Sequence, residues 1–188
     1  MSPRALVLLA GVAVVAFGLD QLSKYLVTTH IGLNESVPVL GEFLQLHYVT
    51  NSGAAFSLGT GFTWVYSIVA ALVIVFIVWF SRRIRSLGWA TMFGLVLGGA
   101  VGNVTDRLTR PPGFGVGHVV DFIQVYAFPA IFNVADIAVS SAMGLFLLLT
   151  LRNIRLDGTR DKSSAYATKL PAGEKSSAAP LHDHPAGD

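Results

Sequence analysis

Two aspartates sit in frames that suit lipid better than charge: Asp121 in "VVDFI" and Asp136 in "FNVADIAV". Burying a lone carboxylate is unfavourable, so a charged group in or beside an apolar run is a functional-site hypothesis by default. Neither has a basic residue next to it. If the fold brings the two together, their mutual repulsion leaves one proton shared between them, one carboxylate acting as base and the other as acid. That is aspartic protease chemistry, in which the ionised member takes a proton from water and the protonated member donates to the carbonyl oxygen. Taken alone, Asp136 also suits a helix cap at the start of the apolar run that follows it.

The remaining aspartates before residue 157 have polar company. Asp20 has Lys24 one helical turn on, in the favoured order for an ion pair. Asp106 has Arg107 beside it and Asn103 nearly a turn before it, which reads as scaffolding able to orient a substrate. Asn51, Asn103 and Asn133 offer amides that can hold a peptide backbone. Ser140 and Ser141 are weaker candidates as nucleophiles, because no histidine shares their segment. His30, His47 and His118 form no pair with ligand spacing, so no metal is expected. No other cofactor is called for.

The elements that must position these groups are apolar. Of 188 residues 53% are hydrophobic and 13% charged, too apolar for an ordinary soluble domain. Four runs approach the roughly 20 residues needed to cross about 30 Å of hydrocarbon: Ala5 to Val27, Phe62 to Phe80, Leu87 to Val104 (the helix extending to about 106) and Ile131 to Leu151. The expected fold is an all-α polytopic membrane protein with four transmembrane helices, since backbone groups in lipid must bond internally. The first run has features of a cleavable signal peptide, but its apolar pattern continues as "DQLSKYLV", so a spanning helix is expected.

Arg4, Arg82, Arg83, Arg85, Arg152 and Arg155 flank one set of helix ends, which predicts that side, and both termini, to be cytoplasmic. All four aspartates then lie toward the outer face. The small positive net charge is explained by this topology signal, and no nucleic acid partner is expected. The absence of cysteine excludes disulfides and thiolate chemistry.

Two outer segments, 28–61 and 107–130, join the helices. In the first, "EFLQLHYV" partly alternates and precedes the turn-like "TNSGAAFSLGTG", predicting a strand or hairpin at the membrane surface. The second opens with a Pro and Gly-rich turn and continues as "HVVDFIQVYAF", an apolar loop expected to lie in the interface or cover a site. Gly94, Gly98 and Gly102 recur every four residues and predict a close helix contact. The membrane domain is expected to span residues 1–156. The polar stretch 157–188 is expected to be a disordered cytoplasmic tail, with His182 and His184 solvated rather than ligating.

"DQLSK", "TNSGAAFS", "GGAVGNVTDR", "VVDFI" and "FNVAD" resemble, in this order, the motifs of lipoprotein signal peptidase, also called signal peptidase II. The resemblance runs from the first helix through the fourth. It implies a bacterial inner-membrane aspartic endopeptidase that removes the signal peptide of diacylglyceryl-modified prolipoproteins just before the lipidated cysteine. On its pattern Asp121 and Asp136 are the catalytic dyad. Asn51, Gly53, Asn103, Arg107 and Asn133 match positions that hold substrate or support the site, and Asp20 and Lys24 match a supporting motif. It also implies a small extramembrane β-cradle, a mobile helix-bearing loop over the site on the outer face, and membrane lipid as a partner. A monomer is expected. Ile137 departs from the pattern, where a small or hydroxylated residue is expected, and the tail is not covered by it.

A small transporter or proton-conducting protein is the alternative, since intramembrane aspartates suit it too. Its carboxylates belong near mid-bilayer, and no inverted repeat is visible. A non-catalytic scaffold needs no paired aspartates in apolar frames.

Overall fold

The computed structural model describes residues 2–53 and 63–160. Among these are four helices long and apolar enough to cross a membrane: α1 (Pro3–His30), α2 (Thr63–Phe80), α3 (Leu87–Thr109) and α4 (Val134–Leu151). A short 3-10 turn, Ser81–Arg83, follows α2. Four strands, β1 (Ser36–Leu40), β2 (Leu44–Asn51), β3 (Val119–Val125) and β4 (Ile131–Phe132), form one antiparallel sheet in the order β1-β2-β3-β4. The expected membrane helices and small sheet are both present.

Helix α3 packs against each of the other three, and its glycines explain how. A Cβ on Gly94 would lie 2.7 Å from the Leu9 carbonyl oxygen, and one on Gly98 would lie 2.6 Å from that of Ala13. The expected stripe therefore faces α1. Gly99, on another face, does the same for α4, where a Cβ would meet the Ala135 oxygen at 2.6 Å. Bare backbone at these positions lets the helix axes approach, the usual basis of packing in lipid, where apolar burial supplies no drive. On α1 the buried residues Ala5, Leu9, Ala13, Ala16, Asp20, Lys24 and Val27 fall three or four apart, one face of a helix. Its other faces, with Val7, Val14 and Leu22 exposed, suit lipid.

The structure moves several expected boundaries. The fourth helix begins at Val134 rather than Ile131, because Ile131 and Phe132 pair with Gln124 and Ile123 of β3 as strand β4. The third helix runs on to Thr109. The segment 107–130 is more than a covering loop, since β3 lies inside the sheet between β2 and β4. Its run "VVDFI" is apolar because both faces are covered. Val120 and Phe122 pack with Val27, while Val119 and Asp121 point to the other side, into a cavity. Residues 54–62, most of the expected turn-like stretch and the expected first residue of the second helix, Phe62, lie outside the described residues.

At the opposite end Arg85 and Ser86 backbone N–H groups both donate to the Leu156 carbonyl, at 3.0 and 2.9 Å, and Trp89 Nε1 donates to that of Ile154 at 2.9 Å. Residues 157–160 fold back so that Arg160 bridges to Ile154. The rest of the expected tail, with His182 and His184, lies outside the described residues.

Candidate active site

Asp121 is only 3% exposed although it stands on a strand of the small sheet, in β3. Both of its oxygens accept amide hydrogens: Oδ1 from Asn133 Nδ2 at 2.6 Å and Oδ2 from Asn51 Nδ2 at 2.9 Å. Pairing of Asn51 with Val119 across β2 and β3 sets Asn51 two residues along from Asp121, within diagonal reach on one face. Burial nonetheless dominates and pushes the Asp121 carboxyl up to about 6; the charge of Asp136 adds to the rise, and the two amides oppose it.

Asp136 is the third residue of α4, and the helix start is built around it. Asn133 Oδ1 accepts the Asp136 N–H at 3.1 Å, and Asp136 Oδ2 accepts the Asn133 N–H at 3.1 Å, a reciprocal capping box. The capping role read from the sequence is thus filled from the third helical position, the N-cap itself being Asn133, and Asp136 Oδ1 is left to accept from Asn103 Nδ2 at 3.1 Å. Asn133, fully buried, touches both carboxylates and ties strand to helix.

Beneath them lies a charged layer with no exposure at Asp20, Lys24 or Asp106. Lys24 Nζ is 2.8 Å from Asp20 and 2.8 Å from Asp106, and donates to Asn103 Oδ1 at 3.0 Å. The expected Asp20 and Lys24 pair is present. For Asp106 the expected basic partner, Arg107, is replaced by Arg110, at 2.6 Å and one turn on, because adjacent residues on a helix point apart. Asp20 Oδ1 accepts the Ala135 N–H at 3.0 Å, and Asp106 Oδ2 accepts the Val120 N–H at 3.2 Å. These carboxylates thus fix the start of α4 and the strand that bears Asp121.

Arg107 donates from Nη2 to the Gly53 carbonyl at 3.0 Å and lies over the Tyr66 ring at 5.6 Å. Gly53 N–H in turn donates to Asn51 Oδ1 at 2.9 Å. Among the described residues the buried Nη1 of Arg107 has no partner, a donor left for something else.

One cavity of about 810 Å³ is lined by Asn51, Gly53, Asn103, Arg107, Asp121 and Asp136. Its remaining wall is mostly apolar and includes Val119, Phe128, Phe132, Ile137 and Val139. Phe128 closes the apolar run expected to cover a site, whereas the sequence reading missed Phe132 and Val139 as wall residues. Ser140 and Ser141 also border it, but His118 does not. Of the residues expected at the site, Asp20, Lys24, Asp106 and Asn133 are not wall residues; Lys24 and Asn133 bond directly to residues that are. Among the described residues no group of His, Asp and Glu is placed to hold a metal.

The model of the family described as signal peptidase (SPase) II matches residues 12–152. A lipoprotein signal peptidase of Leifsonia xyli subsp. xyli is 53% identical over 179 residues, 94% of this chain and 83% of that protein. One from Mycobacterium avium is 42% identical over 163 residues, 86% of this chain and 89% of that protein. A solved bacterial membrane enzyme superposes with a TM-score of 0.68 at 29% identity, covering 76% of this chain and 86% of that one. With the matched residues running from within α1 to just past α4 and including those that line the cavity, the chain is a multi-pass bacterial membrane peptidase and belongs to the signal peptidase II family.

Proposed function

We propose that the protein removes signal peptides from prolipoproteins by aspartic catalysis, with Asp121 and Asp136 as the dyad. The observation that carries this is the meeting of both carboxylates in one largely apolar cavity, joined through Asn133. They share one proton about a single water. The ionised member takes a proton from that water as its oxygen attacks the scissile carbonyl carbon, and the protonated member donates to the carbonyl oxygen. Collapse of the diol breaks the C–N bond: the proton taken from water goes to the leaving nitrogen, and one diol hydroxyl returns its proton to the other carboxylate as the new carboxyl C=O forms, which restores the singly protonated pair.

Asn51, Asn103 and Asn133 orient the dyad, Lys24 holds Asn103, and Asp20 and Asp106 hold Lys24. Arg107, with Nη1 open and Nη2 on Gly53, receives a substrate carbonyl. Ile137, a wall residue 44% exposed on α4, leaves the cavity open along the flank that faces lipid. A diacylglyceryl-modified cysteine reaches the site through that flank, because its acyl chains remain in the leaflet while the bond is cut. The six flanking arginines favour cytoplasmic termini and an outer active site. Residues 1–156 act as one domain and as a monomer, with membrane lipid as surroundings.

The test is cleavage of a diacylglyceryl-modified prolipoprotein by purified wild type, Asp121→Asn and Asp136→Asn, beside an unlipidated substrate. Only wild type is expected to cut, and only the lipidated form. Turnover in either variant refutes the dyad, and wild type that binds lipidated substrate without cutting it favours the transport reading.

A further inference from the structure

The end of the molecule away from the carboxylates holds a second cavity, of about 900 Å³. Arg82, Arg83 and Arg85 from the turn between α2 and α3, and Arg155 beyond α4, line it. A topology signal requires only that such charges sit near helix ends. Here they surround a concave surface with an aromatic floor. Phe76 stacks on Phe80 at 5.4 Å, and Phe80 meets Phe93 at 5.6 Å. The Arg83 guanidinium lies 5.0 Å from the Trp79 ring centre and 5.9 Å from that of Phe80, held by the rings. The lining has four guanidinium groups and one carboxylate, Asp157, whose Oδ1 already accepts the Thr159 N–H and hydroxyl at 2.8 and 2.7 Å.

We propose that this cavity binds an anionic phospholipid of the adjacent leaflet, its phosphate among the arginines and its acyl chains along α2. Three observations select this occupant. The excess positive charge matches a phosphate, for which arginine forms bidentate bonds. The aromatic floor lies where the spanning part of α2 ends at Phe80, the depth at which headgroup gives way to hydrocarbon. From there Phe76 and Trp79, 50% and 60% exposed, continue an apolar surface down the helix. The proposal is independent of the dyad and of which side is cytoplasmic.

The test is lipid retention by the purified full-length protein in non-ionic detergent, read by native mass spectrometry with phosphatidylglycerol or phosphatidylcholine added. Wild type is expected to retain one phosphatidylglycerol at least tenfold more readily than phosphatidylcholine, and to release it in high salt. An arginine near a membrane surface contributes roughly fivefold, so Arg83→Gln with Arg155→Gln is expected to weaken retention roughly 20-fold. Arg83→Lys keeps the charge that sets topology but loses the planar fork. It is expected to weaken retention while prolipoprotein cleavage in the same detergent stays unchanged. Equal retention of the two lipids, or unchanged retention in all variants, overturns the proposal. Displacement by inorganic phosphate, beyond that by chloride at equal ionic strength, assigns the arginines to a free anion and also overturns it.

Discussion

Asn133 Nδ2 lies 2.6 Å from Oδ1 of Asp121, and this contact joins the sheet to the fourth helix at the centre of the site. Because Asn133 is also the N-cap of α4, one side chain sets both the helix start and the orientation of Asp121. Asn133→Ala removes a buried donor and a cap together. It is expected to destabilise the fold by roughly 2 to 4 kcal/mol and to lower kcat by about 100-fold through misplacement of Asp121. Thermal unfolding and cleavage kinetics in detergent check it; loss of stability with full kcat would leave Asn133 as a cap only.

The raised Asp121 carboxyl makes stability depend on pH. Its folded value of about 6 exceeds the ordinary 3.8, so between these values the folded protein holds a proton that the unfolded chain has released. Stability from this group is complete below about 3.8 and is lost as pH rises through about 6. The full swing is about 3 kcal/mol. Wild type is expected to melt higher at pH 5 than at pH 7.5, and Asp121→Asn to lose that increment; identical slopes in the two proteins would contradict it.

Lys24 lies between two buried carboxylates at 2.8 Å each. Lys24→Met leaves Asp20 uncompensated and Asp106 with Arg110 alone, at an expected loss of roughly 3 to 5 kcal/mol. Adding Asp20→Asn removes the stranded charge and is expected to restore part of that loss. A double-mutant cycle measures the coupling, and purely additive losses would show that the pair does not interact.

Gly98 and Gly144 make a matched comparison on two spanning helices. A Cβ at Gly98 would meet the Ala13 oxygen at 2.6 Å and the Ala16 Cβ at 2.7 Å, whereas one at Gly144 finds nothing within 4 Å. Gly98→Ala is expected to cost about 1 to 3 kcal/mol by forcing α1 and α3 apart. Gly144→Ala is expected to leave melting unchanged or slightly raised. Equal effects at the two positions would show that the stripe is not a packing surface.

The sequence by itself determined the features that depend on near neighbours along the chain. Apolar run length specified four spanning helices, the period of Gly94, Gly98 and Gly102 specified a close contact, and apolar frames singled out Asp121 and Asp136. The order of five short motifs pointed to the family. Local pattern also showed that Asp136 suits the start of a helix, where it completes the capping box of Asn133, without showing that the same carboxylate borders a cavity.

Tertiary structure decided everything that joins distant segments. The bond from Asp20 to Ala135 spans 115 positions, and no periodicity within α1 reveals it. Arg110 rather than Arg107 pairs with Asp106, because the helical turn sends Arg107 toward Gly53, 54 positions away. Residues 131 and 132 read as the start of an apolar helix, yet they are strand because β3 offers its free edge to them. The approach of Asp121 to Asp136 follows from these same contacts: α1 fixes the start of α4, α3 fixes β3, and Asn133 closes the gap between them. A buried charge network has no signature in the sequence beyond its residue types, since its energy lies in distances that only the packed chain defines.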